Sequence, residues 1–513
     1  MMPLSGRLLA VRGPVAFVAV GACLLSGCAV GPDFHRPVAP QTSYMQQGRD
    51  TATQSAAGPQ GEIQHFVQGD IPADWWTLFR YPDLDRVVRR AIERSPTLKA
   101  VEQALIAAQE QKMSAQSQMW PQVSGMFNPA RFKTSRAYSN VPIANSWLYT
   151  IHTAQLNISY APDFWGGIRR QVESAAAERE TWRYQLQAAW LTLTGGVVSA
   201  AIGDAMTRAQ IATTENMIAH QRKLLDIAEM ENRLGETSGN DVALQRTLLA
   251  QTEATLPALK QRLAELHDQL AALSGDMPET GFPEFDLDRF QLPSKLPVSL
   301  PSRLILQRPD IRTAEANFHS ACAQVGVAIA NRLPNVQLGF SPGFAAASIA
   351  QMATPGFGQW TLAAMVTQPL FDGFNLLHQE RAARARYEEA AQTYRQTIIS
   401  AVQDVTDSLN AVRNDAEFLR AATEAENAAL KSARIATAQK QLGDVSQITL
   451  LTVQDAALQS QMTLLEARGA RLSDTAGLFQ SLGGGWWNRT DDGVKGVPTV
   501  AQAEQSSAHL LAR

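Results

Sequence analysis

The chain states one pattern twice, and this limits it to folds built from two like halves. Ser95-Pro96-Thr97-Leu98-Lys99-Ala100-Val101-Glu102 returns as Arg308-Pro309-Asp310-Ile311-Arg312-Thr313-Ala314-Glu315. Trp120-Pro121-Gln122-Val123 returns as Leu333-Pro334-Asn335-Val336, and both prolines sit at an offset of 213. Pro162-Asp163-Phe164-Trp165-Gly166 matches Pro369-Leu370-Phe371-Asp372-Gly373 at an offset of 207. Leu234-Gly235-Glu236-Thr237-Ser238 matches Leu442-Gly443-Asp444-Val445-Ser446 at 208. Four landmarks in one order at nearly one spacing predict two copies of one structural unit, side by side.

The strongest local signal lies in the second copy. From Asn375 to Leu442 there is neither Gly nor Pro over 68 residues, which predicts roughly 100 Å of helix at ~1.5 Å per residue. A globular domain of ordinary size cannot cover such a rod. Ile398, Val402, Val405, Leu409, Val412, Ala416 and Leu419 step alternately by four and three, a coiled-coil seam. The matching residues of the first copy are Leu191, Gly195, Val198, Ile202, Ala205, Ala209 and Ala212, whose smaller side chains allow close approach. Returning helices follow at about 241–273 and 448–480, with Pro257 placed to kink the first.

Short segments before each long helix alternate with a period of two. Val336, Leu338 and Phe340 alternate with Gln337, Gly339 and Ser341, and Trp360, Leu362, Ala364 and Val366 alternate with Thr361, Ala363, Met365 and Thr367. The first copy is weaker: Leu148, Leu156, Ile158 and Tyr160 share a face, with Thr150, His152 and Ala154 between them. These read as strands with unlike faces. Trp147, Tyr149, Tyr160, Trp165 and Trp360 gather near segment ends, as a membrane-interface girdle would. A soluble hairpin with one buried face fits the same alternation. Each copy thus reads helix, strand, strand, long helix, tight turn, returning helix. Four strands are too few to close a barrel, so several chains must close one, and a cyclic homo-oligomer follows.

The start of the chain is an address. Arg7 and Arg12 precede a short apolar run, Val15 to Leu25, that ends in Leu25-Ser26-Gly27-Cys28. This is the pattern of a secretory signal peptide, too short for a spanning helix. Its ending resembles a bacterial lipobox, in which Cys28 is acylated and becomes the mature N-terminus; an ordinary signal with a chance cysteine is the other reading. Acyl chains partition at ~0.8 kcal/mol per methylene, enough for two or three chains to anchor stably. The body retains one thiol, Cys322, in an Ala-rich helical segment, so no internal disulfide is available and a small core residue is expected there. After the leader no run of 18 apolar residues occurs, so a membrane crossing requires strands of a closed barrel. A net charge of −3 gives no electrostatic case for nucleic acid. Eight scattered His residues without HExxH or CxxC spacing, and no GxxxxGK[ST], argue against a metal site, a phosphate cradle or an enzyme.

Several pieces together resemble the outer-membrane efflux proteins of Gram-negative bacteria, the TolC/OprM type, and in particular the lipoprotein NodT-like branch. They are Cys28 with Gly31-Pro32-Asp33-Phe34-His35-Arg36-Pro37; Trp75-Trp76 with Phe79; Arg308-Pro309-Asp310-Ile311 with Ala314-Glu315; Asp163-Phe164-Trp165-Gly166-Gly167; Gln368-Pro369-Leu370-Phe371-Asp372-Gly373; and Leu482-Gly483-Gly484-Gly485-Trp486-Trp487. The resemblance implies a homotrimer in which each chain gives four strands to a twelve-stranded outer-membrane barrel. Long helices would form a coiled-coil periplasmic tunnel, and mixed structure near 41–80, 275–300 and 481–500 a belt around it. It further implies passive export of small molecules such as drugs and toxic compounds, with no cofactor. A periplasmic adaptor and an inner-membrane pump would be the partners, in a lipid-anchored protein of the outer membrane. The exit duct of a type I protein-secretion system shares the fold. A non-conducting structural coiled-coil lipoprotein is the alternative from another class.

The expected organisation is a signal peptide over 1–27, a lipid-anchored tether and belt segment over 28–74, a first repeat over 75–300, a second over 301–482, and a belt segment and disordered tail over 483–513. Strands are expected at about 121–161 and 334–370, and helical hairpins at about 168–273 and 375–480. The two hairpin tips carry glycines at helix C-termini, Gly235 and Gly443, with Ser238 and Ser446 placed to cap the returning helices. The resemblance adds an adaptor-contacting role for Leu234, Gly235, Thr237, Ser238, Leu442, Gly443, Val445 and Ser446. It also places a periplasmic gate just past the second tip, at Ile448, Thr452 and Asp455. Relatives carry an acidic residue where this chain has Thr452. Asp455, three residues on, serves either as a substitute carboxylate facing the same way or as an ordinary surface residue.

Overall fold

The computed structural model describes residues 29–38, 51–133, 148–298 and 301–489. In chain order its elements are β1 (His65–Gln68), α1 (Pro82–Arg94), α2 (Pro96–Ser117), β2 (Gln122–Lys133), β3 (Leu148–Tyr160), α3 (Gly167–Leu234) and α4 (Gly239–Ser274). Then follow β4 (Lys295–Val298), α5 (Pro301–Gln307), α6 (Pro309–Ala330), β5 (Asn335–Ala346), α7 (Ile349–Met352), β6 (Gly358–Thr367), α8 (Asn375–Leu442) and α9 (Gln447–Ser481). The repeat is visible in the order, and α3 and α8 are each 68 residues long. The leader with Cys28, Trp147, expected at a membrane interface, and the C-terminal tail from 490 lie outside the described residues.

The chain divides into two compact units. Among the described residues, one comprises Ala107–Thr181 and Glu315–Thr393 with the segment ending at Arg36, and the other those of Pro37–Ile106, Trp182–Ala314 and the helices that follow Tyr394.

The first unit carries an antiparallel sheet of order β2-β3-β5-β6. Its register joins the alternating segments of both copies. Val123 lies opposite Ile158, Ile158 opposite Phe340, and Phe340 opposite Leu362, so an apolar row crosses all four strands on one face. Side chains one step along project to the other face. There Ser124 opposes Asn157, and Ser341 opposes Thr361. β2 and β6 are the edges, each paired on one side only.

The second unit holds the main apolar core. Trp75, Phe79, Phe285, Phe290 and Phe479 are fully buried in it, together with the helix seam. Val405, Leu409, Val412, Ala416 and Leu419 are all buried as the heptad spacing requires. The first-copy seam departs from expectation at its end: Ala212 is exposed, while Thr213 and Thr214 are buried. A straight helix at 3.6 residues per turn drifts against a seven-residue repeat, and the drift rotates the seam past Ala212. α4 runs unbroken through Pro257. α3 contains an 18-residue window of mean hydropathy 1.3, of which 61% is buried inside the protein, as in a core helix.

Order begins before Trp75, where the polar composition of the preceding segment reads as an extended tether. Gln60 donates to the carbonyls of Leu287 and Phe290 at 3.1 and 2.7 Å, and Gln64 to that of Pro293 at 3.2 Å and to the Thr475 hydroxyl at 3.2 Å. β1 pairs in parallel with β4 beside them. The segment is held by buried amides rather than by an apolar face, which composition does not reveal.

Candidate functional site

The two tips are built alike. At the end of α3, Glu236 N donates to Glu231 O at 2.9 Å and Gly235 N to Asn232 O at 3.0 Å. At the end of α8, Asp444 N donates to Gln439 O at 2.9 Å and Gly443 N to Lys440 O at 3.1 Å. Both are Schellman closures, and Gly235 and Gly443 supply the left-handed residue at φ +80 and +84. The serines then cap. Ser238 Oγ accepts from Asp241 N in a full capping box, and Ser446 Oγ accepts from Thr449 N. Asp241 is held below the usual carboxylate range by its bonds to the Ser238 hydroxyl and backbone and to Thr237. Leu234 and Leu442 stand 70% and 78% exposed beside them, with Thr237 and Val445 half-buried.

Past the second tip, Ile448 is half-buried and Thr452 exposed, its hydroxyl donating back to Ile448 O at 2.9 Å. Asp455 is half-buried and accepts from Gln221 Nε2 at 3.1 and 3.2 Å. Its carboxyl is pushed up by burial, opposed by that amide and by His220. Within the chain it belongs to an amide contact, not to a salt bridge.

An acidic pair on α8 and α9 was not legible in the sequence. The Asp415 carboxyl on α8 is pushed up to about 7, first by burial and then by the neighbouring Asp474 carboxyl on α9. The nearby Arg471 is fully buried and donates to Thr53 Oγ1 at 3.2 Å and Glu62 O at 2.7 Å.

The motif following Cys28 is a strap. Arg170, 5% exposed, donates to Val30 O at 3.2 Å, Asp33 Oδ1 at 2.6 Å and Glu173 Oε2 at 2.7 Å. Phe34 stacks on His319 at 4.4 Å, and Arg36 pairs with Glu315 at 2.6 Å. Gly326 faces the strap so closely that a Cβ there would meet Val30 O at 2.8 Å. Cys322 is buried with Sγ 3.5 Å from Pro32 O, and its thiol is raised by burial, as suits a packing residue. Arg308 is a second hub, clasping Asp310 at 3.0 and 2.7 Å, Asp404 at 2.9 Å and Ser481 O at 3.2 Å.

A model of the family described as outer membrane efflux protein matches residues 87–276 and 300–484. The chain belongs to the outer membrane efflux protein family. The two matched segments are the two copies, and the unmatched stretch between them holds β4. Pyoverdine export outer membrane protein OpmQ of Pseudomonas putida is 28% identical over 438 residues, 84% of this chain and 92% of that one. Toluene efflux pump outer membrane protein TtgC of Pseudomonas putida is 25% identical over 480 residues, 92% and 96% of the two chains. Among solved structures, the outer-membrane channel OprN aligns at a TM-score of 0.77 with 23% identity, covering 90% of this chain and all (100%) of that one. The Campylobacter jejuni CmeC outer membrane channel aligns at 0.78 with 19% identity, over 91% and 97%. The family membership makes this chain an outer-membrane efflux component of a Gram-negative bacterium, and a transport component rather than an enzyme.

Proposed function

We propose that three copies of this chain close a twelve-stranded barrel, continued by helices as a periplasmic duct, and that the duct passively conducts small molecules delivered by an inner-membrane pump through a periplasmic adaptor. The single observation that carries this is the sheet of β2, β3, β5 and β6. It has one mainly apolar face, an uncharged face rich in amides and hydroxyls opposite, and two unpaired edges. Lipid accepts such a sheet only if the edges close, and a copy of the same chain offers matching edges. Twelve strands enclose more space than the eight that side chains can fill. The names of relatives, with pyoverdine, toluene and antibiotics among their cargo, favour small molecules over secreted proteins.

In this reading the tip residues from Leu234 to Ser238 and from Leu442 to Ser446 meet the adaptor, Ile448, Thr452 and Asp455 form the gate, and acylated Cys28 anchors the strap. The test is conductance of the purified full-length protein in a planar bilayer, with its mass in detergent measured alongside. A trimer that carries current, more so with Asp455→Ala and Thr452→Ala together, is the expected result. Insertion without current in either form, or a monomer, would sink the reading.

A further inference from the structure

Between Arg332 and Asp372 the chain carries no Asp, Glu, Lys or Arg, and between Lys112 and Asp163 only Arg131, Lys133 and Arg136. β5 and β6 lie wholly in the first gap, and β2 and β3 in the second. The two basic residues on β2 fall in step with Val123 and Phe127, so they share the apolar face. On the opposite face no described strand residue is charged. Besides Met126, Phe132, Ile151 and Met365, that face carries carboxamides and hydroxyls, among them Ser124, Asn157, Gln337, Ser341 and Thr361. Some satisfy each other: Gln155 Nε2 donates to Asn157 Oδ1 at 2.7 Å, and Ser341 Oγ donates to the same oxygen at 3.1 Å.

We infer that this face is an electrically neutral lumen wall, so that the barrel stage of the duct does not sort solutes by the sign of their charge. The inference rests on the reading of the sheet as part of a closed barrel. Channels sort ions with rings of like-charged side chains, and three copies of a wall without charge make no ring. Carboxamides and hydroxyls both donate and accept, so they serve cationic, anionic and neutral polar groups alike. The solutes that fit are hydrogen-bonding small molecules of either sign. Discrimination by charge must then lie upstream of the barrel.

The experiment reads the local potential directly. In the full-length protein with Cys322→Ser, single cysteines replace Ser124, Ser341 or Thr361 on the polar face, and Leu362 on the apolar face. Trimers in lipid vesicles are treated with cationic and anionic methanethiosulfonates of similar size, at about 10 mM ionic strength, where the Debye length is ~30 Å. The ratio of the two rates is compared with that of a free thiol in solution. Expected is a ratio within about twofold of the free thiol at all three polar-face sites, and no reaction at Leu362→Cys. Adding Thr361→Asp to Ser341→Cys shifts the ratio toward the cationic reagent by about tenfold, the size of a 1.4 kcal/mol local potential. A tenfold departure in the protein without the added aspartate overturns the neutral wall while leaving the barrel standing. Reaction at Leu362→Cys with none at Ser341→Cys overturns the face assignment, and the barrel reading with it.

Discussion

Gln221 on α3 and Asp455 on α9 hold one another through a single amide group that reaches both carboxylate oxygens, at 3.1 and 3.2 Å. The long helix of the first copy is thereby tied to the returning helix of the second, close to the second tip. Gln221→Ala leaves a half-buried carboxylate without its donor, so a loss of about 1.5 kcal/mol is expected. Thermal unfolding of the purified protein measures it. If Asp455 belongs to a gate, the same variant also raises current in a planar bilayer, and an unchanged current separates a packing role from a gating one.

Asp415 gives the protein a pH dependence near neutrality. Its carboxyl sits at about 7 in the folded chain, against 3.8 for an ordinary aspartate. The folded state therefore holds a proton that the unfolded state releases at lower pH. Stability from this source is complete below about pH 4 and is lost as pH rises through 7, by on the order of 2 kcal/mol once solvent screening is allowed for. Unfolding temperatures of the native protein should fall between pH 5 and 8 more steeply than those of Asp415→Asn, which needs no proton. Parallel curves for the two would exclude a raised Asp415 carboxyl.

Gly235 and Gly443 face open space, where an added Cβ would meet nothing within 4 Å beyond the adjoining chain. Alanine at either site meets only the conformational cost of a left-handed backbone, about 1 kcal/mol. The two turns share no hydrogen bond, so the costs should add. Hydrogen exchange of the Glu236 amide in Gly235→Ala, and of the Asp444 amide in Gly443→Ala, should run about fivefold faster than in the native chain. Equal protection would show that the tips do not rely on these closures.

Arg170→Ala removes the guanidinium that joins Val30, Asp33 and Glu173. The carboxylates left behind keep access to water, so the loss is that of charge-assisted hydrogen bonds, about 2 kcal/mol, and the strap should become cleavable. Limited proteolysis followed by mass spectrometry would place the new cut between 29 and 36. Asp33 itself is 77% exposed, so Asp33→Asn should cost no more than about 0.5 kcal/mol and leave the strap protected.

The long elements and the sheet were legible because their signals are local. A run from Asn375 to Leu442 without Gly or Pro is the helix α8 to the residue. The alternations at Val336–Phe340 and Trp360–Val366 fall on paired strands with their apolar faces in register. What escaped the sequence is pairing at long range between polar groups. Gln60 and Gln64 look like linker residues until the carbonyls of Leu287, Phe290 and Pro293 are brought to them. Asp455 is separated from Gln221 by 234 positions, and no spacing rule joins them. The strap motif was legible as a family mark, yet its physics lies in Arg170 and His319, which no local pattern connects to Phe34.

The unpaired margins of β2 and β6 have a consequence for the life of the chain before it reaches its membrane. Each margin is a row of free amide and carbonyl groups, ready to accept any extended strand it meets. Beside them Trp360 and Leu362 are each 71% exposed on the apolar face. A newly secreted copy that folds this sheet in the aqueous periplasm has no means of telling a sister from a stranger. Its transit is therefore safe only if an escort shields those margins, or if the sheet stays unformed until matching edges and a bilayer are at hand.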